Sequence, residues 1–158
     1  MIEFRPLTKD DLRLVRDWLG RTHVRQWWRD PVDEAIATQE ERTQQFLIVV
    51  DGAPVGMIQT YLASDYPEWN EIVKVGEGVA GVDLFIGEPE HVGRGLGPQI
   101  LAQFVRDVVT ADAVVATVDE RNRRSWRAFE KAGFRHVRDV EEDGCPHRLM
   151  RLDRGYAP

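Results

Sequence analysis

With 158 residues, 42% hydrophobic and 30% charged, the chain has the composition expected of a soluble protein with one core and a single domain over 1–158. No apolar run nears the roughly 20 residues that cross a bilayer, and the start Met1-Ile2-Glu3-Phe4-Arg5 lacks the basic-then-apolar order of a leader, so neither membrane nor secretion is expected. A net charge of −6 argues against a nucleic-acid partner, and the lone Cys145 against an internal disulfide; both fit a cytoplasmic protein.

The alternation Ile2-Glu3-Phe4-Arg5 predicts a first strand, and Thr8 with Asp11 a capping box for the helix behind it. That helix carries the stripe Leu12, Val15, Trp18 and Leu19 and ends at Gly20. Residues 22–31 (Thr-His-Val-Arg-Gln-Trp-Trp-Arg-Asp-Pro) read as a loop or short turn, and 32–45 as a second, mostly polar helix. Apolar, β-branched 46–50 and 54–62 read as strands joined by an Asp51-Gly52 hairpin turn. Residues 63–78 lack periodicity and read as a long loop.

The next stretch organises the chain. Residues 82–86 form an apolar strand interrupted by Asp83, followed by the alternating glycines Gly93, Gly95 and Gly97 and a helix expected to open at Pro98. Glycines let successive backbone N–H groups converge, and a helix N-terminus adds its own unpaired donors, so the pattern predicts a phosphate or pyrophosphate seat. A P-loop would need a lysine and a hydroxyl after the last glycine, and neither is present. A dinucleotide fingerprint would need glycine where Pro98 stands, although Asp119 lies near the distance of a ribose-binding acid.

Helical spacing of Ile100, Leu101, Phe104, Val105 and Val108 is followed by a buried strand over 113–118, then a helix from about Arg123 closed by Gly133 and Phe134. Strands over 134–140 and 148–152 flank a turn at Asp143-Gly144. The order predicts an α/β fold: a central, mixed and twisted sheet with helices on both faces and a parallel strand pair around the glycine loop. Acids crowd the centre, where Asp65, Glu68, Glu71, Glu77, Asp83, Glu88 and Glu90 face one base, Lys74. Such a field attracts a cationic partner. A solvated loop kept for solubility is the plainer reading of the same charges.

Strand, Gly-x-Gly-x-Gly turn and helix together resemble the acyl-CoA pyrophosphate loop of the GNAT N-acetyltransferases. Residues 119–134 (Asp-Glu-Arg-Asn-Arg-Arg-Ser-Trp-Arg-Ala-Phe-Glu-Lys-Ala-Gly-Phe) resemble that family's Asn-through-Glu-Lys-x-Gly-Phe helix. Three shorter matches resemble the aminoglycoside 6′-N-acetyltransferases: His23-Val24-Arg25-Gln26-Trp27-Trp28, Gly81-Val82-Asp83 and the acid at Asp119. The resemblance implies transfer of acetyl from acetyl-CoA to a primary amine of a polycationic sugar, giving antibiotic resistance, with no metal and a monomer or homodimer.

It implies Leu84, Phe85, Ile86, Val92, Gly93, Arg94, Gly95, Leu96, Gly97, Asn122 and Phe129 around acetyl-CoA, with Asp83 as the base. Trp27, Trp28, Trp69, Glu77, Asp83 and Asp119 would meet the substrate. Two positions depart from the family. Val92 stands where Gln or Arg usually opens the pyrophosphate motif, which leaves that contact to backbone N–H groups and Arg94. Phe129 stands where a tyrosine often serves as general acid. A siderophore precursor or protein amine as acceptor, and an acyl-CoA- or drug-binding module without turnover, are the alternatives the sequence leaves open.

Overall fold

The computed structural model describes residues 1–28 and 42–154. Seven strands form one mixed sheet in the order β1-β2-β3-β4-β5-β7-β6. They are β1 Ile2–Pro6, β2 Gln44–Val50, β3 Ala53–Leu62, β4 Val79–Ile86, β5 Ala113–Asp119, β6 Arg135–Glu142 and β7 Cys145–Asp153. The helices are α1 Leu12–Leu19, α2 Thr22–Arg25, α3 Pro67–Val73, α4 Leu96–Asp107 and α5 Arg123–Lys131. The expected parallel pair is β4 with β5, in register at Val79↔Ala113, Ala80↔Val114 and Gly81↔Val115. No helix among the described residues is long and apolar enough to cross a membrane.

Contacts divide the chain into two compact units, Met1–Thr60 with Asp83–Arg94 and Tyr61–Val82 with Gly95–Pro158. In the first, the Thr8–Asp11 capping box forms as expected, Thr8 N donating to Asp11 Oδ2 at 2.9 Å. It opens a 3₁₀ turn that runs into α1, whose Val15, Trp18 and Leu19 enter a core with Val24, Leu47, Val49, Met57 and Phe85. Trp18 is wholly buried, and its indole N–H is satisfied by Glu88 Oε1 at 2.8 Å. A buried aromatic of this size stabilises by about 1.5–3 kcal/mol if its polar atom finds a partner, as here. Asp51 and Gly52 adopt φ 50° and 84°, both left-handed, the geometry of a two-residue hairpin turn.

The β2–β3 hairpin is irregular one step from that turn. Val49 pairs with Pro54 but Ile48 with Gly56, so Val55 is an extra residue on β3. Its carbonyl accepts from Gly87 N at 2.7 Å and Glu88 N at 3.1 Å. Beyond the bulge β3 runs so close to β4 that a Cβ on Gly56 would lie 2.1 Å from the Phe85 carbonyl oxygen. Only a residue without a side chain fits there.

In the second unit, Val73, Val79, Ala113, Val115 and Leu149 form the core, joined by Trp69, Ile72, Val75 and Val140. The α4 face matches expectation: Ile100, Leu101, Phe104 and Val105 are buried. Gly133 has φ 103°, and Phe134 packs edge-on against Phe129 with centroids 5.0 Å apart, closing α5 as the sequence predicts.

Three expectations are corrected or refined. The loop over 63–78 contains a 3₁₀ turn, Ala63–Asp65, and the helix α3. Pro67 starts α3, Lys74 ends it in a left-handed conformation, and Trp69, Ile72 and Val73 give it an apolar edge too short to register as periodicity. Residues 22–31, expected as a loop or short turn, begin with the one-turn helix α2. The polar helix expected over 32–45 falls outside the described residues up to 41, while Gln44 and Gln45 already belong to β2.

Replacing Gly56 with alanine is expected to destabilise the protein by about 1–3 kcal/mol in urea unfolding, because the obstacle is backbone and cannot swing aside. Wild-type stability in that variant would mean β3 and β4 are not packed this closely.

Candidate active site

In the first unit, Asp83 sits on β4 among buried neighbours but is itself half-buried, less enclosed than its apolar strand suggests. Its Oδ2 accepts from Gln59 Nε2 at 3.0 Å. The oxygen of that same amide accepts from Gln45 Nε2 at 3.0 Å. Both glutamines are buried, at 8% and 9% exposure. Sequence reasoning passed over them, although a glutamine among Met57, Ile58 and Tyr61 was a signal that something polar lies beneath.

Leu84 and Ile86 are half-buried and Phe85 is buried. The Phe85 ring stands edge-on to Trp28 at 5.1 Å and to Trp18 at 6.1 Å. Trp28 therefore belongs to the core edge, and its buried indole Nε1 has no acceptor among the described residues. Trp27 beside it is half-buried. His23 Nε2 lies 3.0 Å from the Ile86 carbonyl oxygen, tying α2 to the end of β4. Beyond β4, Val92 is half-buried, and Gly93 and Arg94 are exposed.

The first unit ends at Arg94, within the glycine turn, and α4 belongs to the second. Gly93 and Gly95 have φ 78° and 75°, and Gly95 is the N-cap. The helix opens at Leu96, two residues earlier than expected, so Gly97 and Pro98 lie in its first turn. Proline is tolerated there because the N–H it lacks would have no intrahelical partner. The space above Gly95 is open, with no atom within 4 Å of a Cβ placed on it. Leu96, Gly97 and Pro98 at the helix start are half-buried, and the first N–H groups of the helix have no intrahelical partner.

Asn122 caps α5, its Oδ1 accepting from Ser125 N at 3.4 Å. Phe129 is 2% exposed and faces the core through Phe134. Trp69 is half-buried, stands 5.4 Å from the Tyr61 ring, and donates to Glu142 Oε1 at 2.9 Å. Thr117 Oγ1 donates to the same oxygen at 3.0 Å, and His147 Nε2 lies 3.7 Å from Oε2. Glu142 was not singled out from the sequence, since it looks like any surface acid near a hairpin turn. Glu77 is exposed.

Asp119 is buried at the end of β5 and grips Arg121 three ways. Its carboxylate accepts from Arg121 N at 2.9 Å, Nε at 3.0 Å and Nη2 at 2.8 Å. The guanidinium holds this carboxyl well below the usual range and outweighs burial, which acts in the opposite direction. A depressed folded-state pKa contributes stability that is present above the unfolded value of about 3.9 and is lost only as pH falls through the lower folded value. Arg121→Gln is expected to raise the Asp119 titration seen by NMR and to start acid unfolding at a higher pH. An unchanged Asp119 titration would mean that Arg121 does not govern it.

Residues 8–142 match the acetyltransferase (GNAT) domain family. Aminoglycoside N(6′)-acetyltransferase type 1 of Klebsiella pneumoniae is 28% identical over 168 aligned residues, spanning 94% of this chain and 81% of the relative. Among solved structures, aminoglycoside acetyltransferase AAC(6′)-Ib in complex with coenzyme A and kanamycin is 25% identical, covering 98% of this chain and 95% of that one, with a TM-score of 0.83. The same protein in complex with coenzyme A is 24% identical and has a TM-score of 0.85, covering 98% and 95%. Strand order, the parallel β4–β5 pair and the glycine turn before α4 agree with a family match over most of the sequence: the chain belongs to the GNAT acetyltransferases.

Proposed function

We propose that this protein, acting as a single catalytic domain, transfers the acetyl group of acetyl-CoA to the 6′-amino group of an aminoglycoside. The observation that carries the reading is the half-buried Asp83 carboxylate, bonded to a neutral amide, on the strand that leads to a left-handed glycine turn and a helix N-terminus. Support for the substrate comes from the Klebsiella relative's name and from the kanamycin-bound structural neighbour. The acidic stretch from Asp65 to Glu90 adds the charge that a polycation requires. Acetylation converts an ammonium into a neutral amide and so removes a charge from the drug. The lone cysteine, Cys145, has no second cysteine in the chain to pair with, which suits a reducing cytoplasm.

Acetyl-CoA supplies an acetyl group already activated as a thioester. Backbone N–H groups of Gly93, Gly95, Leu96 and Gly97 would take its diphosphate, with exposed Arg94 adding positive charge and Val92 none. The Asn122 NH₂ would face the pantetheine arm. Leu84, Phe85 and Ile86 would flank the thioester, and backbone N–H groups at Leu84 and Phe85 would stabilise negative charge as it develops on the carbonyl oxygen.

An alkyl ammonium, with a pKa near that of lysine at about 10.4, has no lone pair for attack. Asp83 would accept the proton as the amine is seated. Phe129 has no proton to give, so the second proton, lost from the nitrogen after attack, would pass to the departing thiolate directly or through water. A thiol pKa of about 8.5 makes that leaving group tolerable.

Trp27, Trp28 and Trp69 would offer faces to the sugar rings, and Glu77 and Asp119 would meet the remaining ammonium groups. Asp119 already grips Arg121, so binding there would exchange a guanidinium for an ammonium at little cost in buried charge.

Purified protein with acetyl-CoA is expected to release free thiol with kanamycin-type drugs bearing a 6′-amine, and not with analogues bearing a 6′-hydroxyl. Release with lysine peptides alone would replace this reading with a protein-directed one, and coenzyme binding without release would reduce it to a binding module. Asp83→Asn is expected to lower kcat at least 100-fold, within the roughly 10²–10⁴ supplied by general bases, while calorimetry shows acetyl-CoA binding retained. Wild-type turnover in that variant would remove Asp83 from the chemistry.

A further inference from the structure

The pair Gln45 and Gln59 lies under Asp83 in an arrangement that the proposed chemistry does not require but that bears on it. Each glutamine is at least nine-tenths buried, on neighbouring strands, and directly opposite the other in register. A carboxylate only accepts hydrogen bonds, so the Gln59 amide must turn its NH₂ toward Asp83. Its carbonyl oxygen then points back, and only the NH₂ end of Gln45 can meet it. The chain of donors therefore has one direction, Gln45 to Gln59 to Asp83. A buried amide that flipped would set two oxygens against each other in a low-dielectric interior.

We propose that Gln59, held by Gln45, is a positioning residue for Asp83. It fixes the side-chain rotamer of Asp83 by holding Oδ2 from the neighbouring strand. This deepens the functional reading above and rests on Asp83 being the proton acceptor. A donor bonded to the ionised carboxylate favours that form and keeps the base unprotonated at lower pH. Neither glutamine titrates. Any movement of a pH profile on their replacement must therefore arise at a group they touch.

The test compares wild type with Gln59→Met and Gln45→Met, which keep the unbranched shape and volume and lose the donor. For Gln59→Met the acidic limb of kcat/KM is expected to rise by about one pH unit, the scale of a lost hydrogen bond to a charge. The plateau kcat is expected to fall about tenfold through lost alignment, with KM for acetyl-CoA unchanged. Gln45→Met should move the limb the same way by a smaller amount, because the Gln59 amide is no longer held in one orientation. The substrate amine titrates alike in all three proteins and cancels from the comparison.

A limb unmoved in Gln59→Met overturns the proposal while leaving Asp83 as base, provided Asp83→Asn is impaired. If Gln59→Met does not fold, Gln45→Met is read by the same criterion, and an unmoved limb there overturns it equally. Should Asp83→Asn prove fully active, the functional reading itself fails, and the two failures are told apart by that variant.

Discussion

The arrangement around Asp83 depends on one extra residue in one strand. A two-residue hairpin at Asp51-Gly52 without interruption would place Gln45 opposite Ile58. The bulge at Val55 advances the register by one and places it opposite Gln59. Pro54, next to the bulge, has no N–H for the ladder, which makes this the natural point for pairing to slip. The Val55 carbonyl then serves Gly87 and Glu88, where β4 ends. Backbone irregularity, an amide chain and a carboxylate are thus linked through the strand pairing itself.

Two carboxylates with different partners illustrate how environment divides roles. Asp83 is half-buried and touches the neutral Gln59 amide, which orients it without cancelling its charge. Asp119 is more deeply buried and gripped by a guanidinium, which keeps it an anion well below the pH at which an ordinary carboxylate takes up a proton. In the proposed reaction the first suits proton acceptance and the second suits fixed attraction, a division set by neighbours rather than by residue type. Glu142 follows the same logic in another form. Trp69 and Thr117 donate to it and so hold α3 and β5 to the end of β6, a structural duty for an acid that looks merely solvated in sequence.

Much of the fold was legible because local chemistry and global fold agree. Thr8 and Asp11 cap, Asp51-Gly52 and Asp143-Gly144 turn with left-handed backbone, and Gly133 closes α5. The helix α3 was not legible, since seven residues give fewer than two turns of periodicity and its Trp69, Ile72 and Val73 are separated from other apolar groups by acids. The start of α4 was read two residues late because proline at a helix start is ambiguous: it fits any position of the first turn, and here Gly95 rather than Gly97 carries the left-handed cap.

By itself the sequence determined the order of the strands, the helices α1, α4 and α5, the glycine turn, the parallel strand pair and the presence of one acid in the strand before that turn. These rest on short-range rules: side-chain period, cap chemistry, and the φ angles only glycine takes easily. What tertiary structure alone decided is which partner each polar group obtained. That Gln45 meets Gln59 and that Gln59 meets Asp83 follow from register and packing across 14 and 24 residues of sequence. A single-residue bulge reverses which side chains face each other along a strand, and no local pattern in the sequence encodes it.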